Sequence, residues 1–232
     1  MPHLTASSDV ANMFDRIAPT YDLLNRIFSV GIDRKWRKGA IRVLDIKPGE
    51  RILDCSAGTG DMAVAALVNS PDARTILLDP ARSMLIIARN KLVRYSNRCG
   101  FLQGAAESLP FEENSFDHFM VAFGIRNFAD LKHGMSELHR VLKPGGTGVI
   151  LEFTPDRSKF IDLIFCFYLW GIMRPLGGLV SKDRDAYAYL ARTVENFPTV
   201  EKLVQLFAEA GFTQTKTRPL SLGIASRFLL KK

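Results

Sequence analysis

The chain contains 232 residues, of which 47% are hydrophobic and 24% are charged, a balance typical of a globular protein with a full core. This length predicts one α/β domain with additional helices. The net charge of +7 comes from scattered basic residues whose densest cluster is residues 34–38. A nucleic-acid channel would show several such clusters interleaved with aromatic side chains. We therefore expect no nucleic-acid partner, and an anionic membrane surface suits this charge at least as well.

The three cysteines and four histidines lack the spacing of metal ligands, so we expect no bound metal. An odd number of cysteines without a disulfide pattern favours a reducing compartment. The N-terminal residues contain no apolar signal core. Together these features predict a cytoplasmic protein with free thiols.

Helical and strand periodicities alternate through residues 10–153. Residues 10–28 and 33–44 have helical spacing, and Asp33 is the expected N-cap of the second helix. Buried strands are predicted at 51–55, 74–79, 100–103, 116–123 and 148–153, with helices at 62–68, 83–94 and 131–142 and a helix-ending turn at 143–146. This alternation predicts a doubly wound parallel sheet.

The pattern changes after residue 153 to helices with long apolar faces, which extend to about residue 197. A helix at 199–210 is followed by segments 212–217 and 222–230, which are expected to close the sheet as a hairpin. We therefore predict a single domain with four parts. These are N-terminal helices (1–46), a ligand-binding core (47–155), a helical cap (156–198) and a closing helix with strands (199–232).

Residues 51–61 form the most informative motif, an apolar strand ending near Asp54 and followed by a small-residue loop with Gly58 and Gly60. Glycine permits a close approach of a ligand to the backbone, and ligands bind at the carboxyl ends of such strands. The loop lacks the G-x-G-x-x-G spacing of dinucleotide folds, and Asp61 stands where a P-loop needs lysine. An acidic loop suits a cationic, hydroxyl-rich ligand such as S-adenosylmethionine (SAM). An ordinary strand–helix turn is the alternative.

Asp79 ends the second predicted strand about twenty residues after the glycine loop, the interval at which an acid meets a ribose hydroxyl pair. Neighbouring parallel strands lie about 4.8 Å apart. The carboxylates of Asp54 and Asp79 are therefore expected to line one edge of the crevice. The alternative is that Asp79 only caps the next helix.

Further motifs occur along almost the whole chain. The most specific are Tyr21-Asp22 with Asn25 and the segment 123–128, Phe-Gly-Ile-Arg-Asn-Phe. Other matching segments are 13–22, 29–37, 53–61, 106–111, 114–117, 152–153, 187–190 and 197–198. Over residues 10–225 the chain resembles the ubiquinone/menaquinone biosynthesis C-methyltransferase family, a class I group of SAM-dependent enzymes. The glycine loop and the Leu-Pro-Phe box are weaker signals, because many class I methyltransferases share them.

The resemblance implies a Rossmann-like, seven-stranded α/β sheet with helices on both faces and a helical cap. It also implies C-methylation of a prenylated quinol ring with SAM as the donor. Carried over by position, the expected SAM contacts are Tyr21, Asp54, Gly58, Thr59, Gly60, Asp79, Ala105, Ala106 and Ala122. In this assignment Asp79 meets the ribose, the 105–106 pair lies along the adenine, Ala122 sits near the methionine end and Tyr21 covers the donor.

Four positions depart from what is usual in that family. Ala105 stands where a polar residue commonly bonds the adenine edge, and losing one such bond typically costs about 0.5–1.5 kcal/mol. Ala122 stands in place of serine, Pro80 in place of isoleucine or valine, and Asp33 in place of a frequent histidine. These departures bear on the affinity for the donor more than on the fold.

The resemblance places Arg126 and Asn127 beside the reacting methyl group and ring, and they are the expected catalytic residues. A phenolic hydroxyl titrates near a pH of about 10, so a base or a fixed cation is needed at neutral pH. A guanidinium does not deprotonate. The hypothesis is therefore that Arg126 stabilises the forming phenolate, with an ordered water held by Asn127. A surface ion pair for this arginine is the alternative.

Residues 160–173 are the most hydrophobic stretch, and with fourteen residues and Asp162 inside they are expected to be too short to span a bilayer. A core helix, a homodimer surface and a lid against a prenyl tail at the membrane are the three interpretations. Because the stretch is rich in aromatic side chains, we predict peripheral membrane association through it.

The sequence leaves the acceptor open between menaquinone and ubiquinone precursors. Two other functions also remain open. One is methylation of another lipophilic small molecule such as a sterol, and the other is a non-catalytic scaffold of quinone synthesis, which Ala105 and Ala122 would suit. An RNA methyltransferase is disfavoured, because neither a base-holding motif nor a basic–aromatic strip is present.

Overall fold

The structure, a computed structural model, describes residues 7–181 and 183–232. Its strands are β1 Arg51–Cys55, β2 Arg74–Asp79, β3 Cys99–Gln103, β4 Phe116–Ala122, β5 Leu142–Phe153, β6 Gln214–Leu220 and β7 Ala225–Lys231. They form a seven-stranded sheet in the order β3-β2-β1-β4-β5-β7-β6. Strands β1 to β5 pair in parallel, whereas β7 runs antiparallel to β5 and β6. The predicted Rossmann-like sheet is confirmed.

Helices cover both faces of this sheet. They are α1 Ser7–Ser29, α2 Ile32–Arg42, α3 Asp61–Asn69, α4 Arg82–Lys91, α5 Leu131–Val141, α6 Lys159–Phe167, α7 Arg174–Ser181, α8 Arg184–Glu195 and α9 Val200–Glu209. Successive strand residues point to opposite faces, so Ile52 joins an apolar cluster with α2, α3 and α4, whereas Leu53 joins one with α5 and α9. A third cluster connects α1 to α6 and α8. The helices α6, α7 and α8 of this layer lie within residues 156–198, the predicted helical cap, whereas α1 belongs to the predicted N-terminal helices.

The prediction that Asp33 caps α2 is wrong. Gly31 takes the N-cap position with φ 74°, a left-handed conformation that glycine adopts without strain. Asp33 therefore lies inside the first turn, where its carboxylate is buried instead of facing the free N–H groups of the helix end.

The helix α5 ends at Val141, directly before the segment predicted to end it, but residues 143–146 belong to β5 and the predicted turn is wrong. The backbone of this segment pairs with the last residue of the chain, since the Gly145 N–H donates to the Lys232 carbonyl at 3.2 Å and the Lys232 N–H to the Gly146 carbonyl at 3.1 Å. These bonds extend the sheet where the local sequence favours a turn.

The apolar stretch 160–173 belongs to a longer helical run, Lys159–Ser181, in which α6 and α7 are joined by a π-helical segment at Tyr168–Met173. The run has 23 residues and, by length and composition, is sufficient to cross a membrane, so the apolar helix extends beyond the fourteen residues that were expected to be too short. Core helices of soluble proteins meet the same criterion. Phe165, Leu169 and Met173 are buried against other helices, but only 28% of the most apolar 18-residue window is buried, and length and composition alone do not establish a span.

Candidate active site

A small cleft of about 60 Å³, which we call the loop cleft, opens beside the glycine loop after β1. Six of the predicted SAM-contact residues line it, together with the predicted catalytic Asn127: Tyr21, Gly58, Asp79, Ala105, Ala106 and Ala122. They come from α1, from the ends of β1, β2 and β4, and from the segment after β3. The fold therefore brings together residues that are as far apart in sequence as 21 and 127.

Asp79 fixes the shape of the glycine loop. Its Oδ2 accepts a hydrogen bond from the Gly58 N–H at 2.7 Å, and its Oδ1 accepts one from the Ala81 N–H at 2.9 Å. Burial raises the pKa of Asp79 to about 6, although these two bonds favour the charged form. Gly58 has φ 53°, and a Cβ added there would meet nothing within 4 Å. The backbone beside Asp79 is therefore accessible to a ligand.

Three other predicted SAM-contact residues, Asp54, Thr59 and Gly60, do not line the loop cleft. The Asp54 Oδ2 accepts a hydrogen bond from the Ala63 N–H at 3.1 Å, in the first turn of α3. Burial raises the pKa of Asp54 to about 8, and the charge of Arg37 only partly offsets this. Asp54 thus lies beneath the loop, and its direct contact with SAM stays a prediction.

Thr59 connects the loop to α1. Its hydroxyl donates to the Asp22 Oδ1 at 2.5 Å and accepts from the Lys91 ammonium at 3.0 Å. The same ammonium lies 2.7 Å from the Asp22 Oδ2 and 2.6 Å from the Asp61 Oδ1. We call these four residues the Lys91 cluster, and it fastens α1 to α3 and α4.

α1 also forms the outer wall of the loop cleft through Val10, Phe14 and Tyr21. The Asp15 carboxylate on this helix accepts a hydrogen bond from the Ser83 N–H at 2.6 Å, at the start of α4. Pockets for drug-sized ligands measure about 300–1,000 Å³, far more than the loop cleft. A ligand of that size therefore requires α1 to move outward.

A second and larger space, the apolar cavity, has a volume of about 400 Å³ and lies between α1, α2, α6 and α8. Its walls are mostly aliphatic and aromatic side chains, among them Trp36, Phe153, Phe165, Tyr168 and Leu190. The residues Phe14, Tyr21, Phe123 and Asn127 line both the apolar cavity and the loop cleft. The two spaces therefore meet at one wall, and the loop cleft is the more polar of the two.

Arg126 lines the apolar cavity in a buried ion pair with Glu152. Its Nη1 donates to the Glu152 Oε1 at 2.6 Å, and the two side chains are 3% and 0% exposed. The Phe153 N–H also donates to the Glu152 Oε1, at 2.9 Å. Burial raises the pKa of Glu152, and the charge of Arg126 opposes this. The Nε of Arg126 is buried and has no hydrogen-bond partner within the described chain.

Asn127 is held by a tyrosine of the cap. Its Oδ1 accepts a hydrogen bond from the Tyr189 hydroxyl on α8 at 3.1 Å. Sequence reasoning missed Tyr189 and Glu152 as site residues, although segments 187–190 and 152–153 are among the motifs that carry the family resemblance. It also missed that Asp33 lines the apolar cavity.

A family model described as the ubiE/COQ5 methyltransferase family matches residues 3–232. The chain belongs to this family. It is 42% identical to a demethylmenaquinone methyltransferase of Thermus thermophilus. The 214 aligned residues cover 92% of this chain and 97% of that protein. It is 39% identical to a ubiquinone/menaquinone biosynthesis C-methyltransferase of Geobacter sulfurreducens. The 226 aligned residues cover 96% of this chain and 88% of that protein.

Solved structures confirm the fold of this methyltransferase. A SAM-dependent methyltransferase of Thermotoga maritima, described as a possible histamine N-methyltransferase, superposes with a TM-score of 0.69 at 20% identity, over 96% of this chain and 99% of that one. A [4+2]-cyclase, SpnF, superposes with a TM-score of 0.73 at 16% identity, over 100% and 98%. Because proteins with such different names share the architecture, these likenesses show the fold alone.

SAM is the co-substrate that this methyltransferase family implies, and the loop cleft is lined by six of the residues predicted to contact it. Contact of the Asp79 carboxylate with the ribose hydroxyls stays a prediction, and the open backbone at Gly58 allows close approach. Ala105 and Ala106 offer an apolar wall without a side-chain hydrogen bond. Among residues 7–181 and 183–232, no group of three or more His, Cys, Asp or Glu side chains is arranged to hold a metal ion.

Proposed function

We propose that this methyltransferase converts demethylmenaquinol to menaquinol by methylating a ring carbon of the prenylated quinol. The observation that carries the proposal is the contact between the loop cleft and the apolar cavity at Phe14, Tyr21, Phe123 and Asn127. A donor in the cleft and a lipophilic ring in the cavity would meet at this wall. The relatives named demethylmenaquinone methyltransferase favour menaquinone over ubiquinone.

Bound SAM supplies a methyl group on a sulfonium centre. The protein's contribution is to hold the two reactants in line and dry, and such alignment is worth about 7–11 kcal/mol. Asn127 stands at the shared wall, and the Tyr189 hydroxyl fixes its amide so that it contacts the ring at a constant position. The described helices α1, α2, α6 and α8 surround the cavity with mostly apolar side chains.

Arg126 places a positive charge beside the ring, which favours the negative charge that develops on the ring as it ionises. Its Nη1 is bound to Glu152, but its Nε is buried and unpaired, which leaves a donor for an oxyanion or an ordered water. A fixed donor in a water-excluded site is much more effective than the same donor in water. Arg126 therefore acts as the fixed cation, and the base is a different group.

We expect Arg126→Lys to lose most of the turnover while the affinity for SAM is kept. Lysine cannot bind Glu152 and an oxyanion with the same fork geometry. Arg157→Lys is the matched control, because Arg157 is also buried, pairs with Asp162 at 2.7 Å and stacks on Phe165, yet lines neither space. The measurement is labelled-methyl transfer together with SAM binding by calorimetry. Near-normal turnover of R126K would contradict the role.

The apolar walls of the cavity support a lipophilic tail on the substrate. We expect a prenylated demethylnaphthoquinol to react with a lower KM than the same ring without a tail, because each buried CH₂ contributes about 0.8 kcal/mol. Equal KM values for the two quinols would contradict the assignment of the cavity to the acceptor. That result would favour methylation of a sterol or another small lipophilic molecule instead.

Peripheral membrane association is also proposed for this protein, which is expected to be cytoplasmic. Phe160, Leu163 and Phe167 on α6 are 71%, 70% and 68% exposed, and their spacing of three and four places them on one helix face. Val30 and Leu222 are also exposed, and these two residues line the apolar cavity. We call this exposed group the cap surface, and it would let a prenylated quinol pass from the bilayer into the cavity.

The proposed occupant of the cap surface is an anionic bilayer, since Lys159 and Arg174 on the same helical run add positive charge. The double variant Leu163→Ser with Phe167→Ser should lose co-sedimentation with anionic liposomes at low salt. Val68→Ser with Val93→Ser is the control, because these exposed residues lie on other segments, in α3 and after α4. If the wild type did not co-sediment with these liposomes, the claim would be overturned. If the wild type were a dimer that L163S/F167S dissociated and V68S/V93S did not, the cap surface would bind a second copy of the chain instead.

A further inference from the structure

Asp33 is the only carboxylate among the described residues that line the apolar cavity. It lies in the first turn of α2, and its side chain is 8% exposed. A chamber built for a lipophilic ring gains nothing from a buried carboxylate unless a polar part of the ligand binds to it. The same cavity must also supply a proton acceptor, because the guanidinium of Arg126 cannot serve as one.

The two oxygens of Asp33 are in different environments. Oδ1 accepts a hydrogen bond from the Ser29 hydroxyl at 2.7 Å. Oδ2 lies 3.7 Å from the Nε of Arg37, which is beyond hydrogen-bond distance. That Nε is itself buried without a hydrogen-bond partner among the described residues. An acceptor and a donor that do not bond each other therefore lie 3.7 Å apart in the cavity wall, and one hydroxyl could bond to both.

The aromatic residues beside this gap connect it to the reaction wall. The Arg37 guanidinium lies over the ring of Phe123 at 5.4 Å, and the Arg126 guanidinium lies over the ring of Phe153 at 5.7 Å. The two rings pack together with centroids 4.7 Å apart, and Phe123 also lines the loop cleft. A flat ring bound on this pair would have one cation near each end.

We propose that Asp33 and Arg37 bind a ring hydroxyl of the aromatic acceptor and that Asp33 takes its proton. The inference rests on the proposed function and names the base that this function lacks. The hydroxyl O–H bond breaks, its proton goes to the Asp33 Oδ2, and Arg37 donates to the resulting oxygen. The ring carbon then bonds the methyl group as the sulfonium–methyl bond breaks, with its electron pair left on sulfur. The proton displaced from that carbon leaves to water, and Asp33 returns its proton to the oxygen.

Several other charged groups act on this pair and enter any pH dependence. Arg37 is on the same helix as Asp33, and its charge also acts on Asp54 in β1 and Asp61 in α3. On the opposite wall the charges of Arg126 and Glu152 are paired with each other. α1 contributes the neutral Ser29.

The first test needs neither SAM nor turnover. It measures the binding of 1-naphthol and of naphthalene to the full chain without SAM. We expect the wild type to prefer 1-naphthol by at least about tenfold, since a hydrogen bond to a charged group contributes about 1.5–3 kcal/mol. Asp33→Ala should lose this preference and Asp130→Ala should keep it. Asp130 is an acidic residue at the start of α5 that lines neither space. No hydroxyl preference in the wild type, or an unchanged one in D33A, would overturn the site.

The second test follows methyl transfer to reduced demethylmenaquinol as a function of pH. Asp33→Asn should lose about 100-fold or more in kcat, with SAM affinity kept, and its rate should rise about tenfold per pH unit as the free hydroxyl ionises. Asp33→His should recover activity, and its kcat should rise with pH around a pH of about 6.5, the ordinary pKa of imidazole, because only the neutral ring accepts a proton. If Asp33 had only a structural role, neither variant would change the pH dependence of kcat. An unchanged pH dependence in both variants would therefore overturn the proton transfer. If the wild type transfers no methyl to the quinol, the proposed function fails, and the naphthol preference alone decides whether the hydroxyl site exists.

Discussion

Asp54 is a carboxyl group that folding removes almost completely from water. It is 1% exposed, and the hydrogen bond from the Ala63 N–H is the one that the described structure gives it. Burial raises its pKa from the ordinary value of 3.8 to about 8, with partial compensation from Arg37. The group therefore prefers its neutral form in the folded protein at pH 7, although it is ionised in the unfolded chain.

The sign of the effect on stability follows from this difference. Below a pH of about 4 both states carry the proton, and Asp54 contributes no pH dependence. As the pH rises from about 4 to about 8 the unfolded chain releases the proton first, so stability falls. One pKa unit corresponds to about 1.4 kcal/mol, and roughly three units separate pH 7 from the unfolded pKa. Ionisation of Asp54 in the unfolded chain therefore costs about 4 kcal/mol of stability at pH 7.

Asp54→Asn should remove this cost, because the amide oxygen still accepts from Ala63 and never ionises. We expect D54N to be more stable than the wild type by up to about 4 kcal/mol at pH 7 and equal to it at pH 4. Urea unfolding at pH 4, 5.5 and 7 measures the difference. Asp117→Asn is the control of opposite sign. Although burial opposes it, bonding to the Arg51 N–H and to Lys143 lowers the pKa of Asp117, so D117N should be destabilised at pH 7.

The reasoning would be refuted if D54N were less stable than the wild type at pH 7. That result would mean that Asp54 is ionised in the folded protein and that its attraction to Arg37 outweighs its burial. A gain in stability that did not change between pH 4 and pH 7 would also be inconsistent, because it would not come from the proton.

Three further predictions concern the buried pair Arg126–Glu152, Asp79 and the Lys91 cluster. Glu152→Gln should destabilise the fold by about 3–5 kcal/mol, since it leaves the Arg126 charge buried and unpaired, and urea unfolding measures this against Glu209→Gln in an exposed pair. The affinity of the wild type for SAM, measured by calorimetry, should weaken as the pH falls below about 6, because protonated Asp79 accepts fewer hydroxyl hydrogen bonds. Lys91→Met should speed SAM release by about 1.5- to fivefold in stopped-flow experiments, since the part-exposed ion pair between Lys91 and Asp22 of α1 is worth about 0.2–1 kcal/mol.

Each of these predictions has a distinct contradicting result. Equal losses of stability in E152Q and E209Q would show that the buried pair has no special weight. A SAM affinity that is constant between pH 5 and pH 8 would remove Asp79 from the ribose. An unchanged release rate in K91M would mean that α1 does not gate the loop cleft.

The sheet and the loop cleft could be predicted because their signals are local. The apolar run ending at residue 55, the glycine loop and the acid at Asp79 follow one another within thirty residues, and parallel strand pairing places their ends together. The position of Asp54 could not be predicted in the same way. Whether its carboxylate faces the crevice or the underside of the loop depends on how α3 packs, and the strand pattern does not contain that information.

The rest of the site depends on contacts between distant segments. The pair Arg126–Glu152 spans 26 residues and the bond Tyr189–Asn127 spans 62, so no local periodicity reveals them. Asp33 was misplaced for a related reason. An acid at a predicted helix start suggests a cap, but Gly31 supplies the change in backbone direction and leaves the carboxylate buried in the cavity wall.

The most direct measurement of the central claim is transfer of a labelled methyl group from SAM to chemically reduced demethylmenaquinol in detergent. We expect the label in the quinol ring, dependent on reduction of the ring and largely lost in R126K. Absence of label, with a folded protein that binds SAM and a demonstrably reduced quinol, would contradict the assignment and indicate a different lipophilic acceptor or a non-catalytic role.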